Sequence, residues 1–97
     1  MMLILITYDV STQTEAGRKR LRQVAKTCQN YGVRVQNSVF ECVVDSVQLQ
    51  MLKTSLNAII DPEQDSLRYY NLGKNGRAKV EHIGAKAALD MEDTLIL

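Results

Sequence analysis

A strand that ends in a carboxylate, followed by a helix that opens on cations, can hold a divalent metal ion beside a phosphate. Ile4-Leu5-Ile6-Thr7-Tyr8-Asp9-Val10 reads as such a strand, and Arg18-Lys19-Arg20-Leu21-Arg22 as such a helical turn, with the turn-prone Ser11-Thr12-Gln13-Thr14 between them. Asp9 is the only carboxylate before Glu15. One carboxylate alone is a poor Mg²⁺ site, because the ion wants an octahedral shell of oxygens. Two carboxylates facing each other across a dimer axis, with waters and a phosphate oxygen, serve better, and the ion then activates water and stabilises charge at a scissile phosphate. The competing role for Asp9 is a cap on the turn that follows the strand.

The other candidates divide by position. Arg18 lies three residues before Leu21 and seven before Ala25. It is expected to extend the buried helical stripe into the first turn, where it can pair with Asp9 or reach a phosphate. Arg20 and Arg22 point elsewhere and are expected to be solvated or bound to a phosphate backbone, while Arg34 can add to the same edge. Ser38 can hydrogen-bond a phosphate or simply occupy a turn. Phe40 can be core or a base-stacking platform. His82 is read as a structural or surface residue rather than a general base. No Ser/His/Asp or Cys/His arrangement, phosphate-binding loop or dinucleotide fingerprint is present in the sequence.

The elements that position these residues follow from periodicity. Leu3 to Tyr8 is apolar on both faces, as a central strand is. Thr14 or Thr12 caps a first helix with the stripe Leu21, Val24, Ala25, Cys28, ended by Gly32. Val33 to Gln36 and Val39 to Val44 are strands joined by an Asn37-Ser38 turn. Asp45 or Ser46 caps a second helix with Leu49, Leu52, Leu56, Ile59 and Ile60 inside, stopped by Asp61-Pro62. Ser66 to Leu72 is a strand, Gly73 to Gly76 a loop, and Lys79 to Ile83 a further short strand. This order predicts an α+β fold, a ferredoxin-like βαββαβ sandwich with an extra C-terminal strand. Residues 1–84 form the domain and 85–97 a linker and strand.

Two helices cover one sheet face and leave the other open, yet the central strands are apolar on both faces. A small domain with such a face calls for a partner surface, and a homodimer packed through its sheet faces is the simplest. In it Leu95-Ile96-Leu97 can add to the partner's sheet edge.

The 97 residues carry 12 Lys+Arg against 11 Asp+Glu, a net charge of +1, but the distribution is uneven. Arg18, Lys19, Arg20, Arg22, Lys26 and Arg34 occupy a stretch from Ala16 to Phe40 that holds no acid, and Lys74, Arg77 and Lys79 form a second basic stretch. A basic face on a near-neutral protein suggests a polyanionic partner. Cys28 and Cys42 read as small reduced core residues of a cytoplasmic protein. The N-terminal apolar run is too short to span a membrane and lacks a signal peptide's basic leader, so no membrane association is expected.

Ile6-Thr7-Tyr8-Asp9-Val10, Arg18-Lys19-Arg20-Leu21, Val35-Gln36-Asn37-Ser38-Val39-Phe40-Glu41-Cys42 and Lys79-Val80-Glu81-His82-Ile83-Gly84 together resemble the small CRISPR-associated endonuclease family. This is the companion of the spacer integrase, and the resemblance runs through essentially the whole chain. It implies a ferredoxin-like homodimer, a metal-dependent endonuclease acting on double-stranded DNA or single-stranded RNA, and a role in CRISPR adaptation beside the integrase. It places the catalytic set on Tyr8, Asp9, Arg18, Arg20, Arg34, Ser38 and Phe40, with Asp9 holding Mg²⁺. The nucleic-acid surface is expected on Arg18, Lys19, Arg20, Arg22, Lys26, Arg34, Arg77 and Lys79, and the integrase contact on the tail after Gly84. A non-catalytic scaffold that binds duplex DNA and bridges the integrase is the alternative. An RNA-recognition domain shares the strand order but needs more exposed aromatics than Tyr8 and Phe40 supply, and a toxin-type ribonuclease of the same fold is a nearer competitor.

Overall fold

The structure, a computed structural model, describes residues 1–84. In chain order they form β1 (Met2–Asp9), α1 (Glu15–Gln29), β2 (Gly32–Gln36), β3 (Val39–Val44), α2 (Ser46–Ile59), β4 (Ser66–Gly73) and a short 3-10 turn (Gly76–Lys79). The sheet order is β2-β3-β1-β4 and every neighbouring pair is antiparallel. This is the expected βαββαβ sandwich, with β1 in the interior of the sheet. The expected linker and strand over 85–97 lie outside the described residues.

Side chains alternate across a strand, and pairing sorts them into two faces. Ile6 sits opposite Phe40, and Ile4 opposite Cys42. With Tyr8 and Val44 they form one core with Val24 and Cys28 of α1 and Leu52 and Leu56 of α2. Ile6, Phe40, Leu52 and Leu56 are fully buried. Each such side chain contributes about 1.5–3 kcal/mol, so the helix-covered face holds the domain together. Both cysteines are free thiols in this core. Burial pushes Cys28 up to about 12 and Cys42 up to about 11, so both remain protonated and inert.

The helix ends are set by specific groups. Thr14 Oγ1 accepts the Gly17 N–H at 3.0 Å, while Asn30, not Gly32, caps the other end of α1, and Gly32 opens β2 instead. Asp45 caps α2 through a reciprocal pair: Gln48 N–H donates to Asp45 Oδ1 at 2.7 Å and Asp45 N–H donates to Gln48 Oε1 at 3.0 Å.

The second face carries Leu3, Leu5, Thr7 and Asp9 of β1, opposite Val43, Glu41 and Val39 of β3 and Tyr70, Arg68 and Ser66 of β4. No described helix of the core covers it, and Val43 and Tyr70 remain exposed. The strand expected over 79–83 is not formed. The chain turns back over this face, and the 3-10 turn packs Gly76 so tightly on Leu3 that a Cβ there would collide with the leucine side chain. Val80-Glu81-His82-Ile83 has the alternation of a strand, but the fold-back carries it away from the edge of β4, where it would have found hydrogen-bond partners.

Candidate active site and nucleic-acid surface

The seven residues expected in the catalytic set gather at one end of the sheet. Tyr8 and Asp9 end β1, Ser38 and Phe40 open β3, Arg34 lies on β2 opposite Phe40, and Arg18 and Arg20 stand in the first turns of α1. They do not share a face, and this sorts their roles.

Asp9 ends the open face, opposite Ser66. Its side chain is exposed. Among the described residues its carboxylate accepts no hydrogen bond, whereas the turn after β1 is tied by another group: Ser11 N–H donates to Asp65 Oδ1 at 3.0 Å. Asp9 is therefore not the cap of its own turn. It lines a shallow cavity of about 270 Å³ with Thr7, Tyr8, Ser66 and Arg68. Arg68 stands opposite Thr7 on the same face and donates to Tyr70 Oη at 3.1 Å. Sequence reading did not connect it with Asp9; a cation two residues along β4 from the partner of Asp9 was the available signal.

Tyr8, Phe40 and Arg34 lie on the helix-covered side. The Tyr8 and Phe40 rings stack at 6.2 Å between centroids and 25° between planes, and the Arg34 guanidinium carbon sits 5.3 Å from the Phe40 centroid. Phe40 has no exposed surface, so in this structure it is core and supports Tyr8. Tyr8 Oη donates to the Asn37 carbonyl at 3.2 Å and Tyr8 N–H to the Ser38 carbonyl at 3.1 Å. These bonds fix the β2–β3 turn beside the end of β1. Burial pushes the Tyr8 phenol above its ordinary range, outweighing the nearby Arg34. It is a hydrogen-bond donor, not a base.

The two helix arginines exchange their expected places. Arg18 is exposed, donating to the Thr12 carbonyl at 3.1 Å and to Glu15 at 2.9 Å; it neither extends the buried stripe nor pairs with Asp9. Arg20, expected in solvent, is largely covered and forks onto Asp65, with Nε to Oδ2 at 2.8 Å and Nη2 to Oδ1 at 3.4 Å. The buried line on α1 runs Gly17, Val24, Cys28, and Arg20 lies between Gly17 and Val24 at helical spacing. Asp65 was missed as a site residue altogether.

The cations are divided between two sides. Lys19, Arg22 and Lys26 project from exposed positions on α1, while Arg77 and Lys79 belong to the turn packed on the opposite sheet face. Lys79 Nζ donates to the Leu72 carbonyl at 3.0 Å. A single continuous basic face is not what one copy presents. Among the described residues there is also no group of three or more His, Cys, Asp or Glu that could hold a metal ion. The exposed Asp9 carboxylate fits a hard cation only as part of a shared site.

With this geometry in view, the chain was compared with known proteins. The family model described as CRISPR associated protein Cas2 matches residues 2–80. The CRISPR-associated endonuclease Cas2 of Halalkalibacterium halodurans is 66% identical over 95 residues, covering 98% of this chain and 99% of that one. The CRISPR-associated endoribonuclease Cas2 of Chlorobaculum tepidum is 60% identical over 96 residues, covering 99% and 100%. The crystal structure of Streptococcus pyogenes Cas2 at pH 6.5 superposes with a TM-score of 0.76 at 57% identity, covering 86% of this chain and 100% of that one. A chain of a partial Cas6-RT-Cas1–Cas2 complex gives 0.66 at 30% identity, covering 86% and 91%. A ferredoxin-like sheet ending in a free aspartate, matched along most of its length by one family, leads to one assignment: the chain belongs to the CRISPR-associated Cas2 family.

Proposed function

We propose that two copies of this chain form a Mg²⁺-dependent endonuclease, with Asp9 of each copy meeting across the open sheet faces. It would cleave double-stranded DNA or single-stranded RNA and act in CRISPR adaptation beside the Cas1 integrase, in the cytoplasm. The observation that carries this reading is the state of Asp9: an exposed strand-end carboxylate whose structural task is performed by Asp65. The exposed Val43 and Tyr70 on the same face support pairing of two copies. The endonuclease and endoribonuclease names of the relatives support the two substrates, and the Cas1–Cas2 complex containing a similar chain supports the integrase partner. No described helix is long and apolar enough to cross a membrane.

In this reading Asp9 supplies the anionic oxygens for the ion, which when bound activates water and offsets charge on the phosphate. Arg68, on the same face, neutralises a phosphate oxygen beside it. Tyr8 holds the β2–β3 turn against the end of β1 and so keeps Ser38 near the site. Arg18, Lys19, Arg22 and Lys26 bind the nucleic-acid backbone.

The test is cleavage of a labelled single-stranded RNA and a labelled short duplex DNA, with Mg²⁺ or with EDTA, by wild type and Asp9→Ala. Cutting that needs Mg²⁺ and falls at least about 100-fold in the variant is expected, the scale for losing a group that meets transition-state charge. Equal cutting by both proteins would remove Asp9 from the site. A second reading, a non-catalytic scaffold for duplex DNA and the integrase, draws on the single carboxylate at the site and the absence of a metal cluster among the described residues. Duplex binding without any cutting would favour it.

A further inference from the structure

Asp65 is the one buried charged side chain among the described residues, with its carboxylate wholly withdrawn from solvent. Its oxygens collect groups from three parts of the chain. Oδ1 accepts the Ser11 N–H at 3.0 Å and Arg20 Nη2 at 3.4 Å; Oδ2 accepts the Asp61 N–H at 2.9 Å and Arg20 Nε at 2.8 Å. The loop after β1, the turn before β4 and the first turns of α1 thus meet on one carboxylate.

Two links run from this carboxylate to Asp9. Ser66, which follows Asp65, pairs with Asp9 in the sheet. Ser11 is two residues beyond Asp9. The Ser11 carbonyl is held as well, because Gly17 approaches it so closely that a Cβ would overlap the oxygen. The Ser11 backbone is therefore fixed on both sides, its N–H bonded to Asp65 and its carbonyl packed against α1, two residues from Asp9.

We infer that Asp65 is a positioning residue for Asp9 and that Arg20 acts on the reaction through Asp65 rather than by touching a phosphate. The inference rests on the reading of Asp9 as the metal-holding carboxylate. A guanidinium forked onto a buried carboxylate is neutralised and fixed, so it adds little to the field that attracts a polyanion. Removing either partner frees the loop and leaves an uncompensated charge behind it.

The experiment uses the full chain as wild type, Asp65→Asn, Arg20→Lys, Arg20→Gln and Asp9→Ala. Three quantities are read: hydrogen exchange at the Ser11 amide by NMR, the Mg²⁺ concentration for half-maximal cleavage, and the salt dependence of nucleic-acid binding. Asp65→Asn is expected to speed Ser11 exchange and to raise the Mg²⁺ midpoint roughly tenfold or more, the scale for losing a partner that orients a metal ligand. Arg20→Lys keeps the charge but loses the fork, and should give the same pattern more weakly; it carries the test if Asp65→Asn fails to fold. The salt slope should be unchanged in both Arg20 variants. A folded Asp65→Asn protein with an unmoved Mg²⁺ midpoint overturns the inference. So does a salt slope that drops by about one in Arg20→Gln, the signature of a lost phosphate contact. Undiminished cleavage by Asp9→Ala brings down the reading of Asp9 and the inference with it, whereas an inactive Asp9→Ala beside an unmoved midpoint in Asp65→Asn sinks the inference alone.

Discussion

Asp9 and Asp65 stand at the ends of neighbouring strands, and their surroundings give them opposite work. One faces solvent with no hydrogen bond among the described residues; the other is enclosed and holds four. Burial by itself would raise the pKa of Asp65, but the Arg20 guanidinium and the N–H groups of Asp61 and Ser11 outweigh it, and the carboxyl is held below its ordinary value. The folded state thus releases this proton more readily than the unfolded chain. The stability that results is complete above the ordinary Asp range near pH 4 and drains away as pH falls through the lowered folded value. Urea midpoints measured from about pH 6 down to about pH 2 should show this loss in wild type, and Asp65→Asn should flatten that part of the curve while lowering the plateau. An acid limb identical in the two proteins would show that Asp65 carries no linked proton. The same residue illustrates what a sequence conceals. Its partners lie at positions 11, 20 and 61, and no local pattern joins them.

At the scale of elements most of the architecture is legible. The apolar run of β1, the Leu21-Val24-Ala25-Cys28 stripe, the Asn37-Ser38 turn and the Asp61-Pro62 stop follow local rules that the tertiary structure leaves intact. The Asp45 cap is such a rule, and it gives a clean prediction: Asp45→Ala should lower stability by about 1 kcal/mol in urea unfolding, with cleavage unaffected because the start of α2 lies at the far end of the sheet from Asp9. A change within experimental error would mean that packing of Leu52 and Leu56 alone fixes this end. Legibility fails where a choice depends on a partner. Helix phase placed the buried stripe correctly but was extended back one residue out of register, to Arg18. The close approach of Gly17 selects the line through Arg20 instead. The pattern Val80-Glu81-His82-Ile83 satisfied a strand's alternation, but a strand also needs an edge, and the fold-back of the 3-10 turn onto Leu3 withholds one.

For the whole molecule the unresolved charge and the uncovered face point to the same remedy. One copy divides its cations between opposite sides of the sheet and carries one carboxylate at the site. Two copies packed through their open faces would bring two Asp9 side chains together and set both α1 helices on the outside, where a duplex can lie against them. The apolar part of this face has Leu3 already covered by Gly76, so Leu5, Val39, Val43 and Tyr70 are what remains to be buried. Val43 is the residue to change: it is 40% exposed and sits opposite Leu3 in β3. A lysine there leaves the helix-side core untouched, and an exposed substitution of this kind costs the isolated domain within about 0.5 kcal/mol. Buried between two copies, the same lysine would leave unpaired charge in an apolar contact. Sedimentation equilibrium should therefore give a dimer mass for wild type and a shift toward monomer for Val43→Lys. Mg²⁺-dependent cleavage should fall with the dimer fraction and recover as protein concentration rises. An unchanged dimer mass in Val43→Lys would place the interface on another surface. A wild-type monomer that still cuts would mean that one Asp9, without its mate, suffices to hold the ion.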